Sequence, residues 1–88
     1  MSGNTTGASN IVLGSQAMAL NSTGSQNIAI GEGSLRGVSG SNHSRNTAVG
    51  YGAGYAITTG WWNTFLGYEA GNITTTGQKN IVIGYAAD

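Results

Sequence analysis

Few side chains in this 88-residue sequence could do chemistry, and their spacing limits what that chemistry could be. His43 is the single histidine, and the acids are Glu32, Glu69 and Asp88. A metal centre needs several ligands at once. A Ser–His–acid relay or a carboxylate pair needs partners at defined separations. No spacing here specifies either, so the reading is non-enzymatic, with no metal and no cofactor. Calcium-binding repeats would need an Asp in every repeat, and that is absent too. Cysteine is missing, which removes disulfides and thiolate ligands. Gly50–Tyr51–Gly52–Ala53–Gly54 has the glycines of a phosphate loop but not the lysine or the helix that should follow.

The aromatic residues are more suggestive. Trp61 and Trp62 are adjacent, and Tyr51, Tyr68 and Tyr85 are spaced 17 apart. Both sets acquire meaning only within a repeat. Asn10–Ile11–Val12–Leu13–Gly14 recurs as Asn27 to Gly31, Asn46 to Gly50, Asn63 to Gly67 and Asn80 to Gly84. The asparagines at 10, 27, 46, 63 and 80 are separated by steps of 17, 19, 17 and 17. A fixed period near 20 is the signature of a solenoid. Five coils of about 17 residues are therefore predicted, starting near 5, 22, 38, 58 and 75, in a single domain over 1–88. The step of 19 comes from a longer turn, Ser41–Asn42–His43–Ser44–Arg45, a corner insertion that leaves the stacked strands alone.

Each apolar run reads as a short strand, rich in Ile, Val, Thr and Phe and flanked by Asn and Gly. An apolar period of 3.6 is not sustained, so helix is a poor reading. A second strand per coil is predicted through Ala17–Met18–Ala19–Leu20, Ala53 to Ile57 and Ala70 to Ile73. Alternation puts Ile11, Leu13, Ile28, Ile30, Thr47, Val49, Thr64, Leu66, Ile81 and Ile83 on one face of the first strands. The other face carries Val12, Ala29, Ala48, Phe65 and Val82. Neither face is polar, and a strand apolar on both sides is covered on both sides. A thin solenoid has one interior, so a second copy of the chain is the expected cover.

The asparagine ladder (Asn10, Asn27, Asn46, Asn63, Asn80) is read as side-chain amides bonding from coil to coil at a turn. The glycine ladder (Gly14, Gly31, Gly50, Gly67, Gly84) is read as a corner requirement. The tyrosine row is read as stacked rings, with a sugar-binding strip as the alternative. The counterparts of Trp61–Trp62 in the other coils are Ala8–Ser9, Ser25–Gln26, Ser44–Arg45 and Gln78–Lys79. Two tryptophans at such a corner pack on a neighbouring chain, on the adjacent long turn, or on an external ligand such as a sugar. Rows of Thr and Ser at Thr5–Thr6, Ser22–Thr23, Ser39, Thr58–Thr59 and Thr75–Thr76 leave an ice-binding face as a lesser alternative to turn chemistry.

Three cations against three acids give no electrostatic reason to bind nucleic acid or anionic membrane. No run approaches the roughly 20 apolar residues of a membrane span. Met1–Ser2–Gly3–Asn4 has neither the charge nor the apolar run of a signal peptide.

The motif Asn–(Ile/Thr)–x–(Ile/Val/Leu)–Gly–x–x–Ala resembles the head repeats of YadA-like trimeric autotransporter adhesins. Asn46–Thr47–Ala48–Val49–Gly50–Tyr51–Gly52–Ala53–Gly54 is closer still to repeats of bacteriophage tail-fibre proteins. The similarity runs from about Thr5 to Ala87. It implies a homotrimeric left-handed β-roll, a virion or bacterial-surface location, and a host-surface glycan or protein as partner. Adhesin coils are shorter, which favours the phage type. A filament subunit stacking end to end is the alternative, because open coil edges template further pairing.

Overall fold

The computed structural model describes residues 9–20, 23–37, 41–73 and 76–87. It is an all-β solenoid with one strand per coil: β1 (Ile11–Leu13), β2 (Ile28–Ile30), β3 (Thr47–Val49), β4 (Thr64–Leu66) and β5 (Ile81–Ile83). The strands form one parallel sheet in sequence order. Each residue lies over its repeat partner, as in Ile11 over Ile28 and Val49 over Leu66. The longer step between Asn27 and Asn46 does not disturb this register. The predicted coil starts at 5, 22, 38 and 75, and the Thr and Ser at 5, 6, 22, 39 and 75, lie outside the described residues.

The register is held by the asparagine ladder. Asn63 N–H donates to Asn46 Oδ1 at 2.9 Å, while Asn46 Nδ2 donates to the Gly60 carbonyl at 2.9 Å. The same clip joins Asn27 N–H to Asn10 Oδ1 at 3.0 Å and Asn80 N–H to Asn63 Oδ1 at 3.0 Å. One short amide thus satisfies a donor and an acceptor of the next coil at a corner where the strand ladder has ended. Asn27, Asn46 and Asn63 are buried, so these bonds are made away from water.

The expected second strand is not formed among the described residues. Its place is taken by overlapping turns: Ala53 N–H donates to the Gly50 carbonyl, Tyr55 to Gly52 and Ile57 to Gly54. Every second residue has positive φ, at Gly50, Gly52 and Gly54 in this coil. A strand needs negative φ throughout, so the alternation rules it out. Glycine accepts this conformation readily. Gln16, Met18, Leu35 and Glu69 adopt it without that freedom, at φ between 48° and 61°. The coil-to-coil bonds hold them there, for example Met18 N–H to the Ser34 carbonyl and Leu35 N–H to the Ala53 carbonyl, both at 2.9 Å.

The structure decides which face of the strands is inside. Ala29, Ala48 and Phe65 are completely buried, and Val12 and Val82 pack against them. They meet the small residues of the turns, Ala17, Ser34, Ala53 and Ala70, all buried. Sizes are matched across the interior. Where the strand supplies Ala29, the turn supplies Leu35. Where it supplies Phe65, the turns supply only Gly54 and Gly71. A Cβ on Gly54 would lie 2.8 Å from Phe65 Cδ2, and one on Gly71 would overlap the same ring.

The inserted turn is not an outward bulge. Ser41 and His43 are buried, and the His43 carbonyl accepts Asn27 Nδ2 at 3.0 Å. Burial pushes the His43 pKa down to about 4, opposed by a hydrogen bond between its ring and the Leu35 backbone. The folded value lies below the ordinary 6.5, so the unfolded chain binds this proton more readily. Its stabilising contribution is complete above pH 6.5 and is lost as pH falls towards 4. The loss is about 3 kcal/mol, at 1.36 kcal/mol per pH unit. Urea midpoints taken between pH 7 and pH 4 should fall across this window, and His43→Gln should flatten the fall. An equal fall in the variant would contradict the assignment.

Candidate functional site

The outer strand face is apolar and open. Leu13 and Ile83 are 66% and 62% exposed, and Leu66 in the second-last coil is still 46% exposed. Ile28, Ile30 and Val49 are half-buried by neighbouring coils only. The two aromatic groups lie at opposite ends of these strands, since Trp62 precedes β4 by two residues and Tyr68 follows it by two. The candidate residues therefore form two clusters rather than one site.

At the downstream end the tyrosines stack. Tyr51 and Tyr68 have ring centroids 5.1 Å apart at 15°, and Tyr68 and Tyr85 are 5.3 Å apart at 7°. The rows repeat at about the 4.8 Å strand spacing, so rings of one register fall into face contact. The Glu69 carboxylate, then lesser burial, then the flanking tyrosines raise the Tyr68 pKa. Its phenol therefore stays protonated at physiological pH and acts as a hydrogen-bonding group. A groove of about 270 Å³ lies beside the row, lined by Tyr51, Gly52, Tyr55, Glu69 and Asn72. The stacked faces are occupied by one another, so this cluster presents ring edges and hydroxyls.

At the upstream end Trp61 and Trp62 meet edge to face, 5.7 Å apart at 77°. Both remain partly exposed, at 39% and 46%. Bridges from Ser44 to Trp61 and from Trp61 to Gln78 continue the parallel pairing around the corner and fix the Trp61 backbone. Trp62 sits at φ 59°, the left-handed value shared by Ser9, Gln26, Arg45 and Lys79 at the same position of the other coils. Three of these side chains, Arg45, Trp62 and Lys79, meet from coil to coil. Arg45 Cζ lies 5.6 Å from the Trp62 ring centre on one side in sequence, and Lys79 Nζ lies 5.6 Å from it on the other. Arg45 also reaches within 5.9 Å of the Trp61 ring centre.

The long turn thus contributes Arg45 to the tryptophan corner, while His43 goes inside. Sequence reasoning singled out Trp61 and Trp62 but passed over Arg45 and Lys79. The signal was present, because 45, 62 and 79 share one rung position at steps of 17. Arg36 and Tyr55 were also passed over; the guanidinium lies 5.2 Å from the Tyr55 ring centre. Among the described residues, no three of His, Cys, Asp or Glu gather as a metal ligand set. No helix among them is long and apolar enough to cross a membrane. No family model, curated protein or solved structure matches this chain.

Proposed function

We propose that the chain is a non-enzymatic structural and attachment module, a segment of a homotrimeric left-handed β-roll in a virion fibre or bacterial surface adhesin. The observation that carries this reading is the outer strand face. It offers Ile11, Leu13, Leu66, Ile81 and Ile83 to the surroundings with no charged residue among the strands. A largely apolar face of this kind, interrupted only by Thr47 and Thr64 among the strand residues, marks an interaction surface. Three copies of one parallel sheet close such faces around a common axis, which leaves the corners at Trp61–Trp62 and the tyrosine row outside as attachment surfaces for a host glycan or protein.

The variant Ile30→Lys with Leu66→Lys tests it. Both side chains point away from the solenoid interior, so the coil should remain folded by circular dichroism while the solution mass drops towards one chain. An unchanged mass would overturn the seam.

One observation favours a second reading, end-to-end stacking into a filament. At each earlier ladder glycine the next coil occupies the place of a Cβ, as at Gly50, where the Gly67 carbonyl oxygen would lie 2.6 Å from it. Gly84 keeps the same conformation, at φ 125°. A rung of this shape accepts a further coil. A mass that rises without limit with concentration supports this reading against the closed trimer.

A further inference from the structure

We propose that the Trp61–Trp62 corner binds an acidic glycan, a sugar chain carrying carboxylate or sulfate groups. Arg45 and Lys79 would hold the anion, and the Trp61 ring would form the stacking platform. The proposal rests on the attachment reading above and names the ligand class for one of its surfaces.

Charge placement carries the first half. The whole sequence has only three Lys or Arg. Two of them, Arg45 and Lys79, are brought to one corner, each 5.6 Å from the Trp62 ring centre. Both are exposed. The described acids are elsewhere: Glu69 lines the tyrosine groove, and Glu32 holds the equivalent rung one residue earlier in its coil. Arg36, the third cation, is engaged with Gln16 Oε1 at 3.1 Å and with the Tyr55 ring. The corner is therefore a local positive site on a neutral chain, with its two charges held in place by a ring rather than by carboxylates. Such a site draws anions and discriminates against neutral partners.

Ring geometry carries the second half. Trp62 has both cations 5.6 Å from its ring centre. Trp61 stands nearly perpendicular to it, with Ser44 and Gln78 as its backbone neighbours in the adjacent coils and Arg45 5.9 Å from its ring centre, so an anion held by Arg45 lies beside the indole. Its backbone is fixed by bridges on both sides. A partly exposed indole beside two cations matches a pyranose that has an apolar face and an acidic substituent. A small inorganic anion would use the cations but not the indole.

The test is a tryptophan-fluorescence titration of the full chain with an oligogalacturonate hexamer. Maltohexaose serves as the neutral control and oligo-dT as the nucleic-acid control. A saturable change is expected with the uronate, with binding of maltohexaose about tenfold weaker or less. Substitutions can be borrowed from the chain's own equivalents. Arg45→Gln and Lys79→Gln copy Gln26, and Trp61→Ser copies Ser25 and Ser44, so the coil tolerates each. Each glutamine variant should weaken uronate binding several-fold and leave maltohexaose unaffected, and Trp61→Ser should abolish stacking-dependent affinity. Equal binding of neutral and acidic sugars, no response to the uronate, or tighter binding of oligo-dT would each overturn the proposal. Light scattering of the same samples separates the two claims. A trimer that ignores the uronate keeps the fibre reading and loses this one, and a monomer that binds it does the reverse.

Discussion

Asn46→Ala should lower the free energy of unfolding by about 2–6 kcal/mol, the cost of leaving two buried backbone groups without partners at about 1–3 kcal/mol each. Those groups are the Asn63 N–H, now bonded to Asn46 Oδ1, and the Gly60 carbonyl, now bonded to Asn46 Nδ2. Both residues are buried, so water does not replace the amide. The outermost rung gives the internal comparison. Asn80 is exposed, and its Nδ2 shares the Asn63 Oδ1 acceptor at 3.1 Å. Asn80→Ala should therefore cost no more than about 1 kcal/mol, the net worth of one hydrogen bond. Urea unfolding at matched protein concentration measures both, with the midpoint moving and the slope holding. Similar costs at the two positions would show that the ladder decorates the coils rather than locking them.

Phe65→Ala should destabilise by about 3–5 kcal/mol, the upper range for a buried aromatic. The reason is the wall around it. The ring lies against Gly54 and Gly71, where the lining is backbone, and backbone held by coil-to-coil bonds cannot collapse into a cavity. The same geometry gives a coupled expectation. In the native background Gly71→Ala meets the ring and should be severe. In the Phe65→Ala background the space is open, and only the strain of a side chain at φ 62° remains. The double variant should therefore be distinctly more stable than the sum of the single losses indicates. Additive losses would mean that Phe65 and Gly71 do not share a packing volume.

What was legible in the sequence follows from what repeats. The asparagine and glycine ladders state the register by themselves, because an error of one residue would separate every amide from its acceptor. The strands were equally plain, since their β-type runs sit between fixed Asn and Gly positions. The sidedness of the strand was only half legible. Alternation separated Ile11 and Leu13 from Val12, but both sets are apolar, and it took the packing of Phe65 against Gly71 to show which set lies inside. The run after each strand was misread as a strand because Ala53 to Ile57 has strand-like composition, and the φ alternation there is a property of the coil stack rather than of any one residue. Leu35 and Met18 would not be chosen for left-handed positions on preference alone. The burial of His43 was hidden by its polar neighbours. The partnership of Arg45 and Lys79 with Trp62 was visible in the spacing, but polarity alone did not suggest that cations would stack on a ring.

The central claim is that the outer strand face is a seam between chains. The most direct test is the solution mass of the unmodified chain by light scattering over a concentration series. A discrete mass near three times 8.9 kDa is expected, constant with dilution until the chains separate. A stable, folded particle of 8.9 kDa would contradict it, because Leu13, Leu66 and Ile83 would then face water with nothing to cover them.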